Sequence, residues 1–330
     1  MKKILCLTLA VLTACSTSVF AAKKNTKKVK IGIAKIVQHP ALDAAEQGVI
    51  DAIKAAGIDA QFDQQNANGD VGTAAQIANQ FKTEKVTVAV GIATPVAVAL
   101  ATTLKTTPVV FSAVTDPVGA GLVTTTAHGD KYVTGMSDAI PTVQHIKLFA
   151  EVAKIKTLGY IYTSNEANSI SAIELVKQGC KEAGITLVTQ SISKSDEVKQ
   201  AAEAIINRVD GIYLTTDNTV FSAISSLIEV FGKAKKPIFS GDVTAAKEGG
   251  IFMASGFNYY KAGRATGELV VQILKGKKCS EIPVRFMTEP SDSDFLIDLD
   301  NAAACGITVD KKYTDMANMI FENGTLSEKK

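Results

Sequence analysis

The familiar catalytic signatures are missing from this chain. Gly-x-Gly-x-x-Gly, Gly-x4-Gly-Lys-Ser/Thr, His-Glu-x-x-His and Gly-x-Ser-x-Gly do not occur in its 330 residues, which argues against dehydrogenase, kinase and hydrolase chemistry. Histidine is scarce, with only His39, His128 and His145. His145 falls within a helical stretch and reads as a surface residue. His128, beside Gly129-Asp130, reads as a loop residue, and His39 sits on the loop after the first strand. Five cysteines occur without a Cys-x-x-Cys pair, so no metal and no cofactor is expected. After the first twenty residues no run of about 18 apolar residues exists, which argues against a spanning helix in the remainder. Basic excess is missing as well. The formal charge is +2, but the first thirty residues hold seven lysines and no acid, which leaves 28 basic against 33 acidic residues elsewhere. A nucleic-acid partner is therefore not expected.

The N-terminus reads as an export signal over residues 1–21. Met1-Lys-Lys is its basic start, and Ile4 to Ala14 is an apolar segment too short to span a bilayer. Two processing sites compete. Val19-Phe20-Ala21 fits ordinary signal cleavage, whereas Leu12-Thr13-Ala14-Cys15 resembles a bacterial lipobox that would place a lipid on Cys15. Residues 22–28 are a basic, solvated tether. Of the remaining cysteines, Cys279 and Cys305 are the expected disulfide of an exported protein, and Cys180 an inert buried thiol.

From Val29 onward apolar strands alternate with amphipathic helices, the pattern of an α/β chain with parallel sheets covered on both faces. Two successive series of similar size predict two Rossmann-like lobes. In such sheets ligands bind just beyond the carboxyl ends of the strands. The polar residues gather there. Phe111 leads into Ser112-Ala-Val-Thr115-Asp116-Pro-Val-Gly, and other strands run into Thr94-Pro95, Ser164-Asn165-Glu166, Thr216-Asp217-Asn218 and Ser240-Gly-Asp242. Thr94 is expected to cap a helix whose first helical residue is Pro95. The free N–H groups of that helix suit a carboxylate, as do Ser164, Asn168 and Ser169 at a later helix. Asp116, Asp217 and Asp242 suit an ammonium group. Donors for a carboxylate facing acids for an ammonium is the polarity an amino acid requires.

The stretches Ile33–Asp43, Gly91–Pro95, Ser112–Gly121, Gly135–Asp138, Asn165–Ser169 and Thr216–Thr219 together resemble the substrate-binding proteins of bacterial ABC importers, in the tryptophan- and tyrosine-binding group with the type I periplasmic-binding fold. The resemblance runs from about Val29 to about Asp310. It departs at Leu299-Asp300-Asn301, where the family often has Ile-Asn, and does not cover the polar tail at 311–330. It implies an N-terminal lobe of 29–138 plus about 257–288 and a C-terminal lobe of 139–256 plus about 289–310, with the ligand cleft between them and a closing hinge. Carried over by position, the cleft loops hold His39-Pro40, Thr94, Thr115-Asp116, Asn165-Glu166, Asn168-Ser169, Asp217-Asn218 and Asp242. Thr94 and the Ser112–Thr115 loop are assigned to the ligand carboxylate, and Asp217 or Asp242 to the ammonium. The implied ligand is an amino acid, aromatic by preference, with Phe111, Phe257, Tyr259 and Tyr260 either stacking on its ring or sitting in the core. The implied setting is a monomer, periplasmic or otherwise extracytoplasmic, that serves an ABC permease in the inner membrane. A sensor of the same fold that reports to a membrane receptor is the alternative.

Overall fold

The structure is a computed structural model that describes residues 29–329. The leader, Cys15 and the basic tether lie outside the described residues. The first series comprises β1 (Val29–Lys35), α1 (Pro40–Ala55), β2 (Ala60–Asn66), α2 (Val71–Thr83), β3 (Val88–Ile92), α3 (Thr94–Thr103), β4 (Val109–Ser112) and β5 (Val133–Ser137). The second comprises α4 (Thr142–Ala153), β6 (Thr157–Thr163), α5 (Ala167–Ala183), β7 (Thr186–Ile192), α6 (Val198–Ile205), β8 (Gly211–Leu214), α7 (Asn218–Ser222), α8 (Ile224–Lys233), β9 (Ile238–Ser240) and β10 (Met253–Phe257). The chain then adds α9 (Tyr259–Leu274), β11 (Arg285–Phe286), β12 (Ser293–Asp298), α10 (Leu299–Ala304), α11 (Lys311–Met316), β13 (Met319–Glu322) and β14 (Thr325–Glu328).

Two sheets result. One has the order β11-β5-β4-β3-β1-β2, and the other β14-β13-β12-β10-β9-β8-β6-β7. The first is parallel throughout. In the second, β10 meets β12 antiparallel and β13 meets β14 antiparallel. All five residues of β3 are buried, as a parallel strand covered on both faces should be. The chain crosses between the sheets at residues 138–141, 258 and 287–292.

Helix α9 returns to the first sheet and packs on α1 at backbone distance. A Cβ on Gly263 would stand 2.0 Å from the Ala45 carbonyl oxygen, and one on Gly48 would stand 2.3 Å from that of Tyr260. The two helices touch this closely only because both positions lack a side chain. Pro40 opens α1, where its missing N–H costs nothing. Leu42, Ala45, Val49 and Ile53, spaced three or four apart, form the buried stripe of that helix.

Four sequence expectations need correction. The polar tail at 311–330 is folded from Lys311 to Glu328. Helix α11 leads into β13, which pairs with β12, and β14 folds back on β13. The turn is Asn323-Gly324, with φ of 53° and 70°, the left-handed pair that a two-residue hairpin demands. Asp300 accepts hydrogen bonds from both turn amides. His145 is buried rather than on the surface, because it shares the inward face of α4 with Ile146, Phe149 and Val152. Its Nδ1 lies 3.0 Å from the Tyr213 hydroxyl, its ring stacks on Phe239, and burial pulls its pKa down to about 4. Cys279 and Cys305 are free thiols. The first follows α9 beside the first sheet and the second follows α10 beside the second sheet, so the topology separates them. Finally, Thr94 is not a cap: α3 begins at Thr94 itself, after Ala93 at φ 77°.

Candidate ligand-binding site

The strands of both sheets end at the seam between the lobes. The inner part of this seam is a narrow cavity lined by His39, Leu42, Ala113, Thr115 and Asp138 from the first lobe, Asn168, Thr216, Asp217, Asn218 and Asp242 from the second, and Tyr259 at the crossing. Its volume is only about 10 Å³. Toward solvent a wider cavity of about 380 Å³ opens, bounded by Ile36, Val37, Asn68–Asp70, Ser193–Asp196, Asn218, Thr219 and Ser222.

Acids dominate the inner cavity. Asp138, Asp217 and Asp242 are 2%, 1% and 3% exposed, and none of them is ion-paired among the described residues. Lys35, the cation nearest the seam on its strand, is held by Asp43 and Glu46. A buried carboxylate without a cation resists ionisation. Burial pushes Asp242 up to about 6, with the charge of Asp138 adding to the effect, and burial likewise raises Asp138. Asp138 is positioned by the Tyr259 hydroxyl, which donates to it at 2.9 Å, and by Thr115 at 3.1 Å. Because Thr115 spends its proton on Asp138, the Thr216 hydroxyl 2.9 Å away donates to Thr115 across the seam.

Asp217 is differently employed. It caps α7 by accepting from the Val220 amide, and it also accepts from the Thr163 amide and hydroxyl and from Ser169. Asn218 is the first residue of that helix. Glu166 anchors the same loop by accepting from Asn168, Asn218 and both donors of Thr219. Asn168 donates its amide to Glu166 and to the Thr216 carbonyl, which turns its Oδ1 inward. That oxygen is buried without a partner. So is the Oγ1 of Thr94, which stands at the start of α3 one residue from the left-handed Ala93. Ala113, lining the cavity, is also left-handed at φ 53°. Non-glycine residues held there cost free energy and cluster at functional sites.

The sequence-derived residues thus divide. His39, Thr115, Asn168, Asp217, Asn218 and Asp242 meet in one cavity. Glu166 and Ser169 sit behind it as hydrogen-bonding supports. Thr94 is not among its lining residues. Ser112 faces away, bonded to Thr266 on α9. Asp116 caps its own turn through the Gly119 amide and accepts from Ser171 across the seam. Pro40, Ser164 and Asn165 are exposed. Among the aromatic candidates Phe111 is a core residue and Phe257 packs with Met136, Ile140 and Ala262, while Tyr260 is a surface residue bonded to Asp51. Asp138 was not singled out as a site residue, although an acid just past β5 follows the same pattern as Asp116, Asp217 and Asp242.

A cavity between two lobes that holds buried acids without a cation and one unpartnered amide oxygen is suited to a small polar molecule. Comparison with known proteins agrees. Residues 30–320 match the family model described as ABC transporter substrate binding protein. The chain is 33% identical over 273 residues to a tyrosine-binding protein of Clostridioides difficile, covering 81% of this chain and 79% of that one. It superimposes with a TM-score of 0.84 and 31% identity on a crystal structure of an ABC domain in complex with L-Trp from Streptococcus pneumoniae, covering 89% of this chain and all of that one. A ligand-free, open structure of a substrate-binding protein with adhesive properties from Clostridium difficile gives 0.64 at 33% identity, covering 86% and 96%. Members of the matched family bind substrate and are not enzymes. The chain belongs to the ABC transporter substrate-binding proteins.

Proposed function

We propose that this protein is the extracytoplasmic solute-binding component of an ABC importer, which takes an amino acid, aromatic by preference, by closure of its lobes and hands it to a permease in the inner membrane. It works as a monomer, released by signal cleavage or tethered through a lipid on Cys15. The observation that carries the reading is the pair Asp138 and Asp242, one from each lobe, buried in a shared cavity without a cation. An ammonium group supplies the missing charge, and the inward Oδ1 of Asn168 accepts one of its protons. Thr94 Oγ1 and the free amides at the start of α3 receive the carboxylate, where the helix end is partially positive.

The inner cavity is too narrow to admit an amino acid as it stands, so entry requires the lobes to part. Two relatives of nearly equal identity support such a motion. The chain lies nearer the arrangement of the Trp complex than that of the open, ligand-free protein.

The test is thermal unfolding of ligand-stripped protein against a panel of amino acids, sugars and nucleosides. A ligand at about 100 times its dissociation constant stabilises by about 2.7 kcal/mol, an easily read rise in midpoint. A response to sugars or nucleosides alone would sink the ammonium–carboxylate assignment.

Binding should also depend on pH in a defined direction. Asp242, with its pKa of about 6, must be ionised to pair with an ammonium. Roughly a tenth of it is ionised at pH 5 and nine-tenths at pH 7. Affinity is therefore expected to rise about tenfold over that interval through Asp242 and level off above it, and the Asp242→Asn variant should keep only the part of the slope that Asp138 contributes. Titration calorimetry at several pH values decides this. His39, whose pKa burial pulls down to about 4, stays neutral throughout the window.

A further inference from the structure

We propose that His39 and Phe221 form a slot across the two lobes that grips the planar side chain of the ligand and thereby sets its side-chain class. The inference rests on the cleft being an amino-acid site. His39 comes from the first lobe, at the end of the loop that enters α1, and its ring makes no capping hydrogen bond. Phe221 comes from the second lobe, on α7. Their ring centroids are 6.1 Å apart and the planes are tilted by 32°. The other aromatic ring pairs among the described residues all lie within the second lobe.

The location is as informative as the pairing. His39 lines the narrow inner cavity. Ser222, next to Phe221, and Val37, two residues before His39, line the wider outer one. Phe221 is itself 6% exposed and lines neither cavity, so its ring stands just behind the His39 face where the inner cavity approaches the outer one. An amino acid with its ammonium on Asp138 and Asp242 and its side chain directed toward the outer cavity passes this point.

Carbon atoms in contact sit about 3.5–4 Å apart, so a third ring between two others needs roughly 7–8 Å. The present 6.1 Å separation falls short by about 1–2 Å. A slight parting of the lobes makes the slot, and a flat ring fills it better than a branched aliphatic chain can. Phe221 is also held firmly enough to act as a wall. Asp217 caps its helix, Glu166 clamps Asn218 and Thr219, and the back of its ring packs in the core of the second lobe.

The experiment is calorimetric titration of the ligand-stripped full chain, and of its F221L, F221A, F221W and H39A variants, with L-Trp, L-Tyr, L-Phe, L-Leu and L-Met. The wild type is expected to favour the three aromatic ligands over the two aliphatic ones by about tenfold or more. F221L and F221A should bring that ratio within about threefold while leucine binding is kept, H39A should lower it partway, and F221W should retain it. Since Phe221→Ala also empties core volume, F221L with an unchanged melting profile is the deciding variant. A folded F221L that keeps the full aromatic preference overturns the slot while leaving the amino-acid site standing. A wild type that binds none of the five ligands overturns the amino-acid reading itself, and the slot with it.

Discussion

Replacing Asp242 by asparagine should weaken amino-acid binding by about 30-fold to several thousand-fold, because truncating one partner of a buried charge pair costs about 2–5 kcal/mol. The same change should leave the ligand-free protein more stable at pH 7. An acid whose pKa is raised on folding binds a proton more tightly in the native state than in the unfolded chain. Its contribution is therefore most favourable at low pH and declines as pH rises through about 6. An uncharged amide escapes that penalty, on the order of 1–3 kcal/mol. Asp138→Asn should behave alike, although it also disturbs the hydrogen bonds from Tyr259 and Thr115. Asp217 offers the contrast. Its oxygens already accept four protein hydrogen bonds, so Asp217→Ala should lower the melting point as well as affinity. Calorimetry and ligand-free melting of the three variants separate the roles. Unchanged affinity in both Asp242→Asn and Asp138→Asn would remove the ammonium assignment.

The second large effect is expected far from the cleft. Gly263→Val places side-chain atoms where the backbone of α1 already lies, with the first of them 2.0 Å from the Ala45 carbonyl oxygen. No rotamer change relieves a clash with backbone, so α1 and α9 must separate. Overpacking typically costs about 1–3 kcal/mol and occasionally more; here the upper end applies, because Gly267 and Gly48 make the same close approach on neighbouring turns. A loss of about 3 kcal/mol corresponds to a midpoint lower by roughly 6–12 °C. Both helices begin at the cleft, α1 after His39 and α9 with Tyr259, so weaker ligand binding should accompany the loss. Gly232→Ala is the control. It lies in α8 with open space around its Cβ position, and it should stabilise the protein slightly through helix propensity. Equal melting points for the two variants would show that the helix contact is not the constraint described.

The order of elements was legible in the chain because strands and helices write different periods into their apolar residues. Strand ends were legible as well, since polar loops follow apolar runs, and this placed Thr115, Asn168, Asp217 and Asp242 among the candidates. The last hairpin could have been read from Asn323-Gly324, a local signal for a two-residue turn, but overall polarity hid it. His145 shows the opposite limit. Its spacing matches the buried face of α4, yet only the packing of Tyr213 and Phe239 against that face makes a place for an imidazole there.

Local sequence, then, determined the α/β pattern, the loops able to carry ligand contacts and the absence of familiar catalytic motifs, because each depends on residues near one another along the chain. Tertiary structure alone decided the rest. Asp138 meets Asp242, His39 meets Phe221, and Cys279 is kept from Cys305, because sheet order and the three crossings bring together or separate residues that are about 25 to 180 positions apart. Such distances leave no periodic trace in a sequence; they are set by which strand pairs with which, and that follows from burial summed over the whole lobe.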